Sequence, residues 1–174
     1  MAFNGMYANR HWFTCGIDAG GGEPENLDVY AFHGREQVSD GYIFNIEAVT
    51  RRANVDIPRL LGCPCHLDIT DKSGGTRHLH GLVRQMKQMH TANSVTHYLL
   101  EVTPRLYFLK KTQDHRIYQH MTVPDIIQQV LNKHGFPEEA YIFQLRDKYP
   151  KREYCTQYGE SDYHFICRLA EEEG

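Results

Sequence analysis

Two cysteines and three histidines stand close together in a pattern that could hold a metal ion. Cys63, Cys65 and His66 precede the turn "DKSGG", and His78 and His80 follow it. Residues i and i+2 of a strand point to the same side, so two adjacent strands could bring these side chains around zinc. Cysteines of structural zinc sites are usually two to four residues apart, however, and the intervening proline stiffens this pair. We therefore predict no metal site, with the cysteines buried as small apolar side chains.

Hydroxyl, imidazole and carboxylate groups gather near the end of the chain and raise the question of hydrolysis. "SDYHF" places Ser161, Asp162 and His164 together, and Glu160 and the run Glu171–Glu173 add carboxylates. No G-x-S-x-G nucleophile elbow is present, and Ser161 is better explained as a helix cap. A terminal run of glutamates is typical of a solvated helix face rather than of an acid and base in a cleft. The glycines of "AGGGEPEN" lack the Lys-Ser or Lys-Thr of a phosphate loop. We predict no catalytic residue, no cofactor site and no enzyme activity.

A basic and aromatic stretch, "PRLYFLKK" from Pro104 to Lys111, could stack the bases of a single-stranded nucleic acid if it formed a strand of an OB-like barrel. Strand alternation would place Arg105, Tyr107 and Leu109 on one face, as in any strand packed on one side. The formal charge of the whole chain is -3. A net negative chain has no long-range attraction for nucleic acid or for anionic lipid, so we predict neither as a partner.

Short aromatic and β-branched runs dominate the first two thirds of the chain and predict strands. The predicted strands are "WFTCGID", "LDVYAFHG", "GYIFNIEAVT", "CPCHLDIT", "TRHLHGLVRQMKQM" and "THYLLEVTPRLYFLKK". "DKSGG" is the clearest hairpin turn, because glycines adopt positive φ without steric cost. Closely spaced strands joined by short turns predict a mainly β (α+β) fold with an antiparallel, barrel-like domain, and disfavour a parallel nucleotide-binding sheet.

Two helices are predicted in the last third of the chain. In "MTVPDIIQQVLNKHG", Thr122 and Asp125 form a capping-box pattern, and Gly135 ends the helix. A second helix begins after Ser161, with Phe165, Ile166, Leu169 and Ala170 predicted on its apolar side. It ends in three glutamates, where the helix dipole favours cations, so we expect the natural chain to continue past Gly174.

Composition and cysteine count describe a globular chain without an export leader. The 174 residues are 41% hydrophobic and 11% aromatic, and no run is long enough to cross a membrane. The N-terminus lacks the charged start and apolar core of a secretory signal. Five cysteines are an odd number, which argues against a disulfide framework. We expect free thiols, folding in the cytoplasm and no stable membrane insertion.

The C-terminal stretch "YPKREYCTQYGESDYHFICRLAEEEG" resembles the signature of VgrG proteins, the spike of bacterial type VI secretion. In that family Tyr-Pro-x-Arg-Glu-Tyr leads into Gln-Tyr-x-Glu-Ser-Asp and a helix that ends in Glu-x-Glu-Gly. The matching positions are Tyr149, Pro150, Arg152, Glu153, Tyr154, Gln157, Tyr158, Glu160, Ser161, Asp162, Phe165, Arg168, Leu169, Glu171, Glu173 and Gly174. The resemblance continues upstream at Pro104, Arg105 and Leu106 and at Arg116, Ile117 and Tyr118, and covers about the last hundred residues well.

The resemblance implies a structural hub rather than a chemical activity. In the family the hub is a trimer of barrel-like domains, close to sixfold symmetric, that sits on the hexameric Hcp tube and is secreted with it without a signal peptide. A complete spike continues into more hub, an OB-like domain and a β-helix needle, and carries effectors or adaptors. We expect residues 1–120 to form the barrel-like hub domain and residues 121–174 to begin a second hub subdomain.

Three alternative functions remain open on the sequence alone. A baseplate hub of a contractile phage tail is the near alternative. A metal-binding barrel and a single-strand nucleic-acid-binding barrel are the distant ones.

Within the signature, both signs of charge lie in a short span, which favours ion-pair networks that fix a loop and a helix. We predict that Arg152 or Arg168 pairs with a carboxylate of the same segment, and that the tyrosines supply apolar bodies with polar tips.

Overall fold

A computed structural model describes residues 12–21, 24–38, 40–52 and 54–174. The chain divides into two compact units, Met1–Arg105 and Leu106–Gly174. The strands of the first unit are β1 (Phe13–Ile17), β2 (Glu25–Gln37), β3 (Gly41–Thr50), β4 (Pro64–Thr70), β5 (Thr76–Ala92) and β6 (Val95–Thr103). They pair antiparallel in the order β1-β2-β3-β6-β5-β4, and β1 also pairs with β4 to close the ring. The predicted antiparallel, barrel-like fold is confirmed.

The interior of this closed sheet follows the period of two expected of strands with one buried face. On β3, Phe44, Ile46 and Ala48 point inward and are buried, whereas Glu47 points outward and is exposed. The buried apolar cluster consists of Cys15, Ile17, Leu27, Val29, Phe44, Ile46, Ala48, Leu60, Cys65, Leu67, Val83, Met86, Tyr98, Leu100 and Val102. All six strands contribute to one core, which fixes their register.

The predicted turn at "DKSGG" joins β4 to β5, with Thr70 opposite Thr76. One carboxylate oxygen of Asp71 accepts hydrogen bonds from the amides of Ser73 (2.7 Å) and Gly75 (3.0 Å). Gly74 has a φ of 87°, a conformation that glycine adopts without steric cost. The turn therefore combines an Asx-type acceptor with a glycine.

Two local predictions for the first unit and its end are wrong. The last predicted strand stops at Thr103, and Arg105–Lys111 form a 3₁₀ helix in which Leu109 is buried. Pro104 has no backbone N–H and cannot continue a strand ladder, which accounts for the break. A short helix, α1 (Ile57–Leu60), also lies between β3 and β4, where no helix was predicted.

The second unit combines a two-stranded sheet with two helices. Its elements are β7 (Gln113–Met121), α2 (Val123–Lys133), a 3₁₀ turn at Glu138–Ala140, β8 (Arg152–Ser161) and α3 (Asp162–Glu173). β7 pairs antiparallel with β8, so this strand lies in the second unit, whereas the division expected at residue 120 placed it with the first. The buried apolar side chains are Leu109, Tyr118, Val123, Ile126, Val130, Leu131, Cys155, Tyr163, Phe165, Ile166 and Leu169.

Both predicted helices begin at the predicted caps. The Thr122 hydroxyl accepts from the Asp125 amide, and the Asp125 carboxylate accepts in return from the Thr122 amide, which completes the capping box. Gly135 follows α2 with a φ of 65°, as expected of a terminating glycine. On α3 the predicted apolar side is present, except that Ala170 is exposed. In the described part of the chain, no helix is long and apolar enough to cross a membrane.

Candidate functional site: an ionic cluster around Asp162

A buried carboxylate organises the second unit. Asp162 is the first residue of α3 and its side chain is only 1% exposed. Four side chains donate to it, and we call the five residues the Asp162 cluster: Thr112, Lys133, His134, Gln157 and Asp162. A buried carboxylate is stable only when hydrogen bonds and charges compensate for the lost water. The four donors provide that compensation for Asp162.

The five members of the Asp162 cluster come from four parts of the second unit. Oδ2 of Asp162 accepts from Thr112 Oγ1 (3.0 Å), Lys133 Nζ (3.1 Å) and His134 Nε2 (2.6 Å). Oδ1 accepts from Gln157 Nε2 (2.7 Å), and the Asp162 amide donates to the Thr112 carbonyl (2.9 Å). The cluster therefore joins the start of β7, the end of α2, β8 and the start of α3 at one carboxylate.

The electrostatics of the Asp162 cluster favour the ionised carboxylate. Burial acts to raise the pKa of Asp162, but the hydrogen bonds from Gln157, His134, Lys133 and Thr112 outweigh it and lower this pKa to about 2 from the ordinary value of 3.8. Lys133 also binds Asp114 Oδ2 at 2.8 Å. Its pKa is raised because the hydrogen bonds from its ammonium group to two carboxylates outweigh its own desolvation.

Two arginines of the signature form a second set of ion pairs beside the Asp162 cluster. Arg168 contacts both carboxylate oxygens of Glu160, at 2.6 and 3.3 Å, and Glu172 at 2.8 Å. Arg152 contacts Glu172 at 2.7 Å and Glu173 at 2.5 Å. The hydrogen bonds from Arg152 and Arg168 lower the pKa of Glu172. The predicted pairing of Arg152 or Arg168 with a carboxylate of the same segment is confirmed.

These ion pairs connect β8 to the middle and to the last turn of α3. Arg152 begins β8 and reaches the last turn of the helix, while Glu160 ends β8 and is held by Arg168 in the middle of the helix. The glutamates Glu172 and Glu173 that looked unfavourable at the helix end are thus neutralised by Arg152 and Arg168. The pair of Arg168 with Glu160 is bidentate. Charge-assisted pairs of this kind fix the orientation of the side chains as well as their distance.

The other signature residues are more dispersed. Gln157 donates to Asp162 and to the Glu160 carbonyl. Pro104 and Arg105 belong to the first unit. Several are on the surface: Pro150, Glu153, Tyr154, Tyr158 and Gly174. Tyr149 is partly buried. The side chains of Tyr154 and Tyr158 lie outside the core, so they do not pack inside the unit.

Sequence reasoning missed three members of the Asp162 cluster. Thr112, Lys133 and His134 were not singled out as partners of Asp162. Lys133 and His134 are far from Asp162 in the chain, so only the packing of α2 against α3 brings them to it. The available signal was a buried acidic residue directly after a serine cap, since an aspartate at that position requires donors.

The low-ranked zinc candidates do not converge. Cys65 points into the core, where its Sγ lies 3.9 Å from that of Cys15, and the side chains of His78 and His80 are exposed. Cys63 donates to the carbonyl of Arg59. Within the described residues, no group of three or more His, Cys, Asp or Glu side chains is arranged to hold a metal ion. Alternation on β4 and β5 separates the Cys65 sulfur from the exposed imidazoles of His78 and His80.

The residues behind the hydrolase and nucleic-acid alternatives have structural roles instead. The Ser161 hydroxyl accepts from the His164 amide at 3.1 Å, so it caps α3 as predicted. "PRLYFLKK" is not a strand, and the ammonium group of Lys110 lies over the rings of Tyr107 (5.0 Å) and Tyr163 (4.5 Å). The face proposed for base stacking is therefore not formed.

The architecture places the chain among the structural proteins of contractile tails and related secretion machines. It superposes with a TM-score of 0.79 and 29% identity on an E. coli component of the type VI secretion system that is structurally similar to the phage T4 tail proteins gp27 and gp5, covering 91% of this chain and 42% of that one. A prophage tail protein of Shewanella oneidensis shares the fold at a TM-score of 0.65 and 17% identity, over 93% of this chain and 51% of that one.

Residues 35–174 match the family described as the phage tail baseplate hub (GPD), and the chain belongs to this family. It is 41% identical over 167 residues to the type VI secretion system spike protein VgrG4b of Pseudomonas aeruginosa, which covers 96% of this chain and 20% of that protein. The spike protein VgrG5 of the same organism is also 41% identical, over 86% of this chain and 19% of its own length. The predicted resemblance to VgrG spikes is confirmed. The chain spans about a fifth of the length of these relatives.

Proposed function

We propose that this chain is the N-terminal hub portion of a type VI secretion spike, which forms a trimer and seats on the hexameric Hcp tube. The observation that carries the proposal is the 41% identity to a spike protein over 96% of the chain. In this function the protein is a mechanical component rather than an enzyme, assembled in the cytoplasm and secreted through the apparatus. The proposed partners of the spike also include effectors or adaptors.

The ionic contacts of the second unit support a mechanical role. A part that is driven into a target cell must keep its shape under load, and the Asp162 cluster and the arginine pairs connect β7, α2, β8 and α3 by side chains. Packed side chains and satisfied hydrogen bonds in a dry interior resist deformation. We propose that these contacts hold the signature segment in the shape that assembly requires.

The test uses the full-length protein encoded by the gene that contains these residues. Its mass in solution, measured by light scattering after size exclusion, is expected to be that of three chains, and it is expected to co-purify with co-expressed Hcp. A monomer that does not retain Hcp would contradict the proposal. The near alternative, a phage baseplate hub, is supported by the fold of the Shewanella tail protein. It predicts retention of a phage tube protein in place of Hcp.

One pair of variants connects the ion pairs to assembly. Arg152→Glu places a third carboxylate beside Glu172 and Glu173, which Arg152 contacts at 2.7 and 2.5 Å. Like charges at this separation repel, so we expect a smaller trimer fraction and a unit less stable by about 1 kcal/mol. The control, Lys151→Glu, makes the same change of charge one residue earlier at an exposed side chain. Equal trimer fractions for the two variants would contradict a role for the Arg152 pairs.

A further inference from the structure

The two-stranded sheet of the second unit buries one face and leaves the other exposed. On the buried face, Tyr118 of β7 stacks on Phe165 of α3 with ring centroids 5.6 Å apart, and Cys155 and Gln157 of β8 are buried. An antiparallel sheet with one packed face usually presents polar side chains on the other. Here the opposite face is exposed but partly apolar, and we call its side chains the outer sheet face: His115, Ile117 and Gln119 of β7 and Tyr154, Thr156 and Tyr158 of β8.

The outer sheet face is an aromatic and apolar surface that extends over both strands. Ile117 is 65% exposed, Tyr154 is 62% exposed and Tyr158 is 81% exposed. The ring of His115 meets that of Tyr158 edge-on, with centroids 5.0 Å apart. Directly opposite side chains of an antiparallel pair lie close enough to touch. The opposite pairs of this face are His115 with Tyr158, Ile117 with Thr156 and Gln119 with Tyr154.

A bulge keeps one carboxylate off the outer sheet face. The register of β7 against β8 shifts immediately before His115, which leaves Gly159 as the extra residue of β8. Gly159 has a φ of 65°, a conformation that glycine adopts without steric cost. Unbroken alternation after Tyr158 would point the Glu160 side chain outward. The extra residue turns it toward α3 instead, where it binds Arg168.

The six side chains of the outer sheet face carry no formal charge when the histidine is neutral, although 24% of the chain is charged. The nearby charges of β7 alternate onto the other face, where Arg116 binds Asp114 at 2.7 Å. An uncharged face has no long-range attraction for nucleic acid, anionic lipid or a charged protein surface. The centres of protein interfaces are poor in charged residues and rich in aromatic ones, most of all in homo-oligomers. The chemistry of this face therefore fits an uncharged protein surface.

We infer that the outer sheet face packs against a second copy of this chain in the assembled trimer. The inference rests on the proposed function, to which it adds a surface through which neighbouring subunits meet. A stable interface buries about 800 Å² on each partner and uses about 20–30 residues a side. Six side chains are about a quarter of that number, so they form the centre of the contact, with a polar rim around them. Large aromatic rings at such a centre contribute most of the binding energy, so Tyr154 and Tyr158 are the expected anchors.

Photo-cross-linking in the full-length protein identifies what covers the outer sheet face. The photo-reactive residue p-benzoyl-phenylalanine is placed at Tyr158, where it keeps an aromatic ring, and separately at Ile117, in cells that also express Hcp. Irradiation is expected to give a product with twice the mass of one chain. The control position is Gln129, an exposed side chain of α2, where much less of this product is expected.

The outcomes of the cross-linking separate this inference from the proposed function. A product with the mass of one chain plus Hcp would overturn the inference. So would the absence of any product from a protein that light scattering shows to be a trimer. A wild-type protein that is not a trimer would instead refute the proposed function, and the inference with it.

A charge placed on the outer sheet face provides the second measurement. Tyr158→Glu puts a carboxylate at the centre of the contact, where it is buried without a partner, so the trimer should begin to dissociate at a concentration at least about tenfold higher. Tyr158→Phe keeps the ring and should retain the trimer. Gln129→Glu adds the same charge at an exposed position of α2 and should leave the trimer unchanged. A Tyr158→Glu protein that is folded by circular dichroism and has the trimer fraction of the wild type at each concentration would overturn the inference.

Discussion

The two units of this chain are stabilised by different physical means. Among the residues that the structure describes, the buried polar side chains of the first unit are threonines, Thr50, Thr96 and Thr103. Those of the second unit are Gln157 and Asp162. The first unit closes a sheet around one apolar core, and closure leaves no strand edge within the ring. The second unit has only two strands, which alone give marginal stability, and it adds an ionic network to a smaller core.

The difference shows how a small unit compensates for a small core. A closed sheet buries apolar surface from every strand, and its stability depends mainly on that buried area. A two-stranded sheet covered by two helices buries less, so position must be fixed by directional contacts. The second unit should therefore be more sensitive than the first to the loss of one buried charge. Each of the following predictions tests that contrast.

Removal of the central carboxylate should have the largest effect. Asp162→Ala leaves the donors of Lys133, His134 and Gln157 without their common acceptor in a buried site. Breaking a buried charged network costs about 3–5 kcal/mol. Hydrogen exchange of β8 and α3 should accelerate strongly. Trp12 is the single tryptophan and its fluorescence reports on the first unit. The midpoint of the urea transition followed by this fluorescence should be unchanged.

The control for Asp162→Ala is Asp114→Asn, which changes a more exposed carboxylate that contacts the same lysine. It should leave the exchange of α3 nearly as in the wild type. If the two variants accelerated exchange equally, burial of Asp162 would not be the source of the effect.

A cavity in the core of the first unit should cost a comparable amount of stability, but that cost should not depend on salt. Ile46 is fully buried at the centre of the closed sheet, so Ile46→Ala is expected to cost about 3 kcal/mol. The loss should appear in Trp12 fluorescence and be the same at low and high salt, since no charge is involved. A matched exposed change on the same strand, Glu47→Ala, should be close to neutral. Strong salt dependence of the Ile46→Ala effect would contradict the contrast between the units.

Local patterns in the sequence predicted most elements of both units, whereas contacts between distant residues were not predicted. Strand alternation, the "DKSGG" turn and the helix caps at Thr122 and Ser161 are local patterns, and all were read correctly. The strand predicted through Pro104 failed because its apolar residues outweighed the missing N–H of the proline. The Asp162 cluster could not be assembled from local patterns, because Thr112, His134 and Asp162 meet only through the packing of α2 and α3.

Acid should weaken the second unit through the Asp162 carboxylate. The pKa of Asp162 is about 2 in the folded protein and 3.8 ordinarily. A lowered pKa gives stability that is complete above the unfolded value and is lost as the pH falls through the folded one. The expected loss is about 2 kcal/mol between pH about 4 and pH about 2. Urea unfolding of wild type and Asp162→Asn across this range isolates the contribution, because all other carboxylates titrate in both proteins. Parallel curves would show that Asp162 is not the responsible group.

The smallest effect is expected at the cap that precedes the Asp162 cluster. Ser161 Oγ accepts from the His164 amide at 3.1 Å, and Ser161→Ala should cost about 1 kcal/mol, whereas Ser161→Thr should cost less. The informative measurement is the double variant with Asp162→Ala, because the two residues are adjacent and both act on the first turn of α3. If the cap holds the helix start independently, the two losses add. A summed loss larger than that of the double variant would mean that the carboxylate positions the serine, and that the second unit depends on one network rather than on separable contacts.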